Sequence, residues 1–480
     1  MSFHSYAFVL AFLPIAVLGF HCKKKIGNTG STKFFLVLLS LIFLGFSDVR
    51  NVVILLLSML VNYLVFMAMQ KSGKKKILLV IGILLNLLAL FYFKYTDSLF
   101  VPLGISFFTF SQIAFLMENY RGELSNMSLS NYSVYVTFFP KMVQGPIMLP
   151  GEMEKQLDEA IEKKADWEAC FKGFALFVLG LSKKVLLADT FGVAVNHGYT
   201  NLSSLSSGDA WILMLSYTLQ IYFDFSGYCD MAMGVSQMMG FSLPLNFDSP
   251  YKANNILEFW KRWHMTLTRF FTKYLYIPLG GNRKGEARTY LNMLIIFFVS
   301  GIWHGAGLTF ILWGMLHGIL YVVTKWWKVR RENAKRARQN EAKSSGTVGH
   351  VLSVTGTFLY VNIAWIFFRA STLQEALSVL KKMFSFEFRK INLNFAKCFE
   401  LDEFWYVMKV LKMDRFDWAH YVLMVLLLLV ALAIVFFGKT APKISEKMKP
   451  SFLHVCVLSV LLVWCILSFS NVSSFIYVNF

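Results

Sequence analysis

The chain has 480 residues, 56% hydrophobic and 16% charged, with 48 Phe and a formal net charge of +19. A mean hydropathy of +0.54 excludes a string of soluble domains. The charge excludes little by itself, but the Lys and Arg residues sit in short loops between apolar runs, where the positive-inside rule wants them, and no separate basic module speaks for nucleic acid.

Apolar runs of about 17 to 25 residues cross a bilayer as helices, and this chain has many. Residues 3–20 read as a first span with its N-terminus outside, because the basic cluster at 23–25 follows the run rather than preceding it. Residues 34–70 form a hairpin turning near Ser47 and Asp48, and 77–93 cross again. PLGISFFTF (102–110) and FFPKMVQGPI (138–147) are apolar but broken by Pro and Gly. Irregular backbone at membrane depth belongs inside protein, so both read as buried or re-entrant pieces. Residues 151–169 form a polar helix along a membrane face, and 209–228 and 229–244 read as two spans. The stretch 325–349 is a solvated cytoplasmic loop, with eight basic and two acidic residues up to Lys343. Residues 350–369 cross outward, 370–418 form an extracytoplasmic segment, and 419–437 and 452–469 are the last spans. The reading is an all-α polytopic membrane protein with about eleven spans plus re-entrant helices, both termini extracytoplasmic. Its six Cys show neither disulfide nor zinc spacing.

The stretch 216–318 is greasy yet rich in ionisable groups, which are expensive in a membrane unless they have a task. Residues 289–327 must leave the cytoplasm and return, turning at Gly301-Ile302-Trp303-His304-Gly305-Ala306-Gly307. About 22 Å of helix rise separates Thr289 from His304, which places His304 deep in the membrane. It is either hydrogen-bonding glue between helices or a working group, and its glycine-rich turn favours work. LEFWKRWHMTLTRFF reads as an interfacial helix with Trp260, Trp263 and His264 on one side. The aromatic belt explains the tryptophans but not the histidine. Tyr217, Gln220, Asp224 and Tyr228 share a helix face, and the network reads first as structural, with a cation from 261–273 as partner for Asp224. Trp303, Arg262 and Glu258 belong to the same supporting set. His317, about four turns past His304, reads as structural. GGNRKG (280–285) is either a contact for an anionic ligand or a plain basic turn.

These motifs, with GLSKKVLLAD (180–189), YTLQIYFDFSGYCDMAMG, NFDSPY (246–251), EFWKRWHMTL, YLYIPLGGNRKG, GIWHGAGLTFILWG and FIYVNF (475–480), run nearly end to end. Together they resemble the membrane-bound O-acyltransferase (MBOAT) family, in particular the bacterial branch that acetylates alginate and peptidoglycan. The resemblance implies one MBOAT membrane domain over 1–480, with helices around a central funnel and a catalytic core at 216–318. It implies His304 as the catalytic histidine and His264 as its second. It also implies acetyl-CoA as donor substrate, no bound cofactor or metal, an extracytoplasmic polysaccharide acceptor, a separate SGNH-type partner and a bacterial inner-membrane location. Arg269, Lys273, Asn282 and Arg283 are the expected donor contacts. Thr272 and Lys273 stand where the branch commonly has Arg-Asp, which adds positive charge near the donor entrance, and Val478 and Asn479 depart from its usual terminus. D-alanyl transfer from a carrier protein to teichoic acid, or a transporter or flippase, are the alternatives.

Overall fold

The computed structural model describes the chain except residues 97–99, 125–126, 338–345, 472, 474 and 477–480, and every regular element among the described residues is helical. Part of FIYVNF, including Val478 and Asn479, therefore lies outside the described residues, as does the middle of the 325–349 stretch.

The chain opens with α1 (Ala7–Ile26), α2 (Thr29–Gly45), α3 (Val49–Lys71) and α4 (Lys75–Tyr95). The turn predicted at Ser47 and Asp48 is there: the Asp48 carboxylate accepts the backbone N–H of Arg50 and caps α3. The outward residues of α3 and α4, such as Leu57, Leu60, Leu64, Leu84 and Leu88, are about half exposed, as lipid-facing side chains of a span should be. α5 (Ile105–Tyr120) is buried from Ile105 to Asn119, so the broken apolar stretch is an internal helix as expected. It starts at Gly104, whose φ of +75° and whose contact with the Met142 carbonyl leave no room for a Cβ. The second half of α6 (Leu129–Thr137) and the single turn α7 (Phe139–Met142) are buried too.

The polar helix ends earlier than its charges suggest. α8 (Pro150–Glu162) stops, and Asp166 caps a new helix, α9 (Trp167–Ser182), by accepting the Ala169 N–H. After α10 (Asp189–Thr200) comes the largest departure: 209–228 and 229–244 are not two spans but one 32-residue helix, α11 (Ser207–Met238). Gly227 and Gly234 do not break it. A Cβ on Gly227 would meet the Gly180 carbonyl at 2.8 Å, and one on Gly234 the Gly173 carbonyl at 2.5 Å. The glycines let α9 lie against the α11 backbone, the small-residue packing that membrane helices favour.

α12 (Ile256–Arg262) and α13 (Met265–Phe271) replace the single amphipathic helix expected there. α14 (Glu286–His304) and α15 (Leu308–Ala337) form the predicted out-and-back hairpin. α15 does not end at the membrane: the basic stretch stays helical to Ala337, because nothing in it before Gly346 is Gly or Pro. α16 (Thr347–Arg369) follows. The segment 370–418 folds into α17 (Leu373–Met383), α18 (Leu393–Lys397) and α19 (Asp402–Val410). α20 (Asp417–Phe436), α21 (Ala441–Ser445) and α22 (Phe452–Leu467) complete the chain.

Six described helices are long and apolar enough to cross a membrane, and two shorter ones, α2 and α22, are apolar as well. The protein is a multi-pass membrane protein. It divides into two compact units: residues 1–185, 225–245 and 441–480 in one, and 186–224 and 246–440 in the other. In the first, His21 on α1 hydrogen-bonds the Met238 carbonyl at 2.9 Å, and half-buried Lys183 pairs with buried Asp230 at 2.5 Å. In the second, Tyr251 donates to the Thr218 carbonyl at 2.9 Å and Lys252 to the Gly438 carbonyl at 2.6 Å, which ties the 246–254 loop to α11 and α20.

Candidate active site

The site lies in the second unit and starts from glycine. α14 and α15 pack backbone to backbone: a Cβ on Gly301 would meet the Phe310 carbonyl at 2.6 Å, and one on Gly314 the Phe297 carbonyl at 2.4 Å. Close packing brings the end of one helix and the start of the other onto the same aromatic core. His304 is the last residue of α14 and only 2% exposed. Its ring stands 4.5 Å from Trp303, 5.0 Å from Trp313 and 5.0 Å from Phe368, centroid to centroid. The carbonyl end of a helix carries partial negative charge, which favours the cation a ring forms when it takes a proton.

His264 reaches the same core from a break in the backbone. Trp263 is extended and His264 is left-handed, at φ +44° and ψ +51°. That conformation is uncommon for a side-chain-bearing residue and costs about 1–3 kcal/mol, a strain found mostly at working sites. Two backbone bonds hold the break, from Asp248 N–H to the Arg262 carbonyl and from Met265 N–H to the Asn246 carbonyl, both 3.0 Å. The expected face of Trp260, Trp263 and His264 therefore does not exist as one helix face.

Asn246 is the residue that the sequence reading passed over. Its Oδ1 accepts the Thr266 backbone N–H at 3.1 Å, the Thr266 hydroxyl at 2.8 Å and a ring nitrogen of His264 at 3.1 Å. The Thr266 N–H identifies that atom as the acceptor, so His264 Nδ1 is the donor and a neutral His264 keeps Nε2 as its basic nitrogen. Trp303 joins the two histidines, with its ring 6.5 Å from His264 and 4.5 Å from His304.

The same unit holds a slot of about 260 Å³, whose lining includes Trp260 but neither histidine. Lys261, Lys325 and Asn282 line it together with Met293, Phe297 and Ser300 of α14. These three α14 positions follow one helix face, and His304 is the next on it, four residues or about 6 Å beyond Ser300. Of the expected donor contacts, Asn282 is in the wall; Arg269, Lys273 and Arg283 are not among the lining residues, although Thr272 is.

The supporting set divides. Glu258 and Arg262 pair at 2.5 Å within α12, and Glu258 also accepts the Asn254 N–H. Burial alone would raise the Glu258 pKa, but these partners hold it below the usual carboxylate value. Trp260 and Trp263 belong to the aromatic core, against Trp313 and Trp365 respectively. Tyr217, Gln220 and Asp224 are buried on α11 in this unit, whereas Tyr228 belongs to the other. Among the described residues no three His, Cys, Asp or Glu side chains are grouped to hold a metal ion.

His317 belongs to this core as well. Although remote from His304 along the chain, it too neighbours Trp313, at 5.2 Å between ring centroids. The GIWHGAGLTFILWG motif contains Trp313, but nothing in its spacing announces that one indole contacts both histidines.

Comparison with known proteins shows the family of the chain. The family profile "MBOAT, membrane-bound O-acyltransferase family" matches residues 41–368. The chain is 39% identical over 429 residues to a peptidoglycan O-acetyltransferase of Helicobacter pylori, covering 80% of each chain. It is 33% identical to a probable alginate O-acetylase AlgI of Pseudomonas aeruginosa, covering 80% of this chain and 75% of the relative. It is 24% identical to a teichoic acid D-alanyltransferase of Bacillus subtilis, covering 74% and 93%. The protein is an enzyme of the acyl-transfer type, and it belongs to the membrane-bound O-acyltransferase family.

Proposed function

We propose that this O-acyltransferase takes an acetyl group from cytoplasmic acetyl-CoA and delivers it through the membrane for O-acetylation of an extracytoplasmic polysaccharide. The observation that carries the reading is the slot. It has lysines in its wall and an apolar side formed by the face of α14 that leads to His304. An acyl-CoA has the matching form, an anionic head on a long thin arm ending in a thioester.

His304 is the base in this reading. Its ring nitrogen takes the proton of the acceptor hydroxyl while the oxygen attacks the thioester carbonyl. A C–O bond forms, the C–S bond breaks, and the thiolate leaves and is protonated as free CoA. The aromatic walls exclude water, which would otherwise hydrolyse the thioester. His264, fixed by Asn246, positions acceptor or donor with its second nitrogen.

Positive loop charges support about eleven crossings in a bacterial inner membrane, with both termini outside. Peptidoglycan and alginate, which the relatives' names contain, support a cell-envelope polysaccharide as the acceptor class. A separate SGNH-type partner completes the transfer, docking on 370–418 and the C-terminus. The D-alanyl reading stays in view through the Bacillus relative. Reconstituted protein supplied with radiolabelled acetyl-CoA or with a D-alanyl-loaded carrier protein separates the two. Label transfer from acetyl-CoA alone is expected; transfer from the carrier alone would replace the acetyl reading.

A further inference from the structure

His317 is 0% exposed and enclosed by five rings: Phe259 at 6.2 Å, Trp260 and Trp313 each at 5.2 Å, Tyr360 at 6.0 Å and Trp365 at 6.2 Å. Neither ring nitrogen meets a hydrogen-bond partner among the described residues, and neither does Nε1 of Trp260 or of Trp313. These four buried polar atoms sit on three mutually neighbouring rings in an aromatic box. A phenylalanine would fill the same space without the cost of an unmet polar group. Retaining histidine there suits a guest with hydrogen-bonding groups.

The guest has a route. Trp260 is both a wall of the slot and an edge-on neighbour of His317, so it is the partition between the two. Height along the hairpin indicates what the guest is. A Cβ on Gly318 would meet Phe297 at 2.9 Å, so His317 stands level with Phe297. Phe297 is seven residues before His304 on α14 (304 − 297), about 10 Å of helix rise. If the thioester lies at His304, the two amides of a pantetheine arm fall about 4 and about 9 Å back along the chain at ordinary bond lengths.

We propose that His317 is a donor-recognition residue: it hydrogen-bonds an amide of the pantetheine arm when Trp260 turns aside, making the nook the polar end of the slot. This rests on the acyl-CoA reading above. The exchange adds no covalent step, since the imidazole accepts or donates one hydrogen bond.

The test compares two probes on the full-length protein in lipid nanodiscs: CoA, which has the arm, and adenosine 3′,5′-bisphosphate, which has the head but not the arm. Dissociation constants are measured for wild type, His317→Phe and His317→Gln, with melting temperatures to confirm folding. Phe keeps the ring packing and Gln keeps a hydrogen-bonding group. The preference for CoA over the bisphosphate should fall ~10-fold in His317→Phe, the worth of one hydrogen bond, and return toward wild type in His317→Gln. The KM for acetyl-CoA should rise by the same factor. An unchanged preference in a folded His317→Phe protein makes His317 a packing residue, or one that meets only water, and overturns the proposal. Wild-type protein that binds no CoA sinks the donor reading itself, and this inference with it.

Discussion

Replacing Asn246 with Ala removes one carbonyl oxygen that three donors share. Asn246 is 0% exposed, so water cannot take over for the Thr266 N–H and His264 Nδ1. Two buried donors left unmet cost about 1–3 kcal/mol each, which predicts a loss of about 2–6 kcal/mol, seen as a lower midpoint of thermal inactivation. A second effect concerns turnover. His264 loses the bond that fixes its tautomer and ring plane, and one neutral hydrogen bond is worth about 1–1.5 kcal/mol, or a ~5–12-fold fall in transfer rate. The assay is a double-mutant cycle on the rate with Asn246→Ala, His264→Ala and the pair. Because His264→Ala already deletes the bond, the double variant should be less impaired than the sum of the singles, with a coupling of about 1 kcal/mol or more. Rates that add within about 0.5 kcal/mol would refute the claim that Asn246 acts through His264.

Gly301→Val places two methyls against the Phe310 carbonyl and the Ile311 backbone, which cannot yield, so folded yield in detergent should fall sharply, whereas wild-type yield would show that α14 and α15 separate freely. Lys261→Glu reverses a charge in the slot wall and should raise the KM for acetyl-CoA several-fold with kcat nearly kept, and an unchanged KM would move the donor elsewhere. If the proposed orientation holds, an impermeant maleimide in intact cells should spare exposed Cys22 and reach Cys398. That reaction should be slow, because burial and the neighbouring Glu400 push the Cys398 thiol up to about 11, leaving little thiolate at pH 8 and more as pH rises. Fast labelling of Cys22 from outside would invert the topology.

Periodicity and charge made the spans legible. The hairpin 286–337 and the place of His304 at its turn follow from two basic loops and the glycines between them. What could not be read was the effect of tertiary contact. Residues 209–228 and 229–244 read as two spans, but the Gly180 and Gly173 backbones of α9 press against Gly227 and Gly234 and α11 runs through as one helix. His264 looked helical because its neighbours are good helix formers, but the pairing of Asn246 and Asp248 with Met265 and Arg262 draws it into the left-handed region. Asn246 and Trp313 act through partners distant in sequence, and spacing records nothing of that. Of the residues expected to contact the donor, Asn282 lines the slot together with Lys261 and Lys325, and Arg269, Lys273 and Arg283 are not in its lining.

The central claim is that His304 carries the chemistry of acyl transfer to an envelope polysaccharide. It is tested most directly by the acetyl-ester content of the cell-envelope polysaccharides in cells lacking this gene, complemented with wild type or with His304→Ala. The account predicts that wild type restores the ester and that His304→Ala, inserted at the same level, does not. Full restoration by His304→Ala would contradict it.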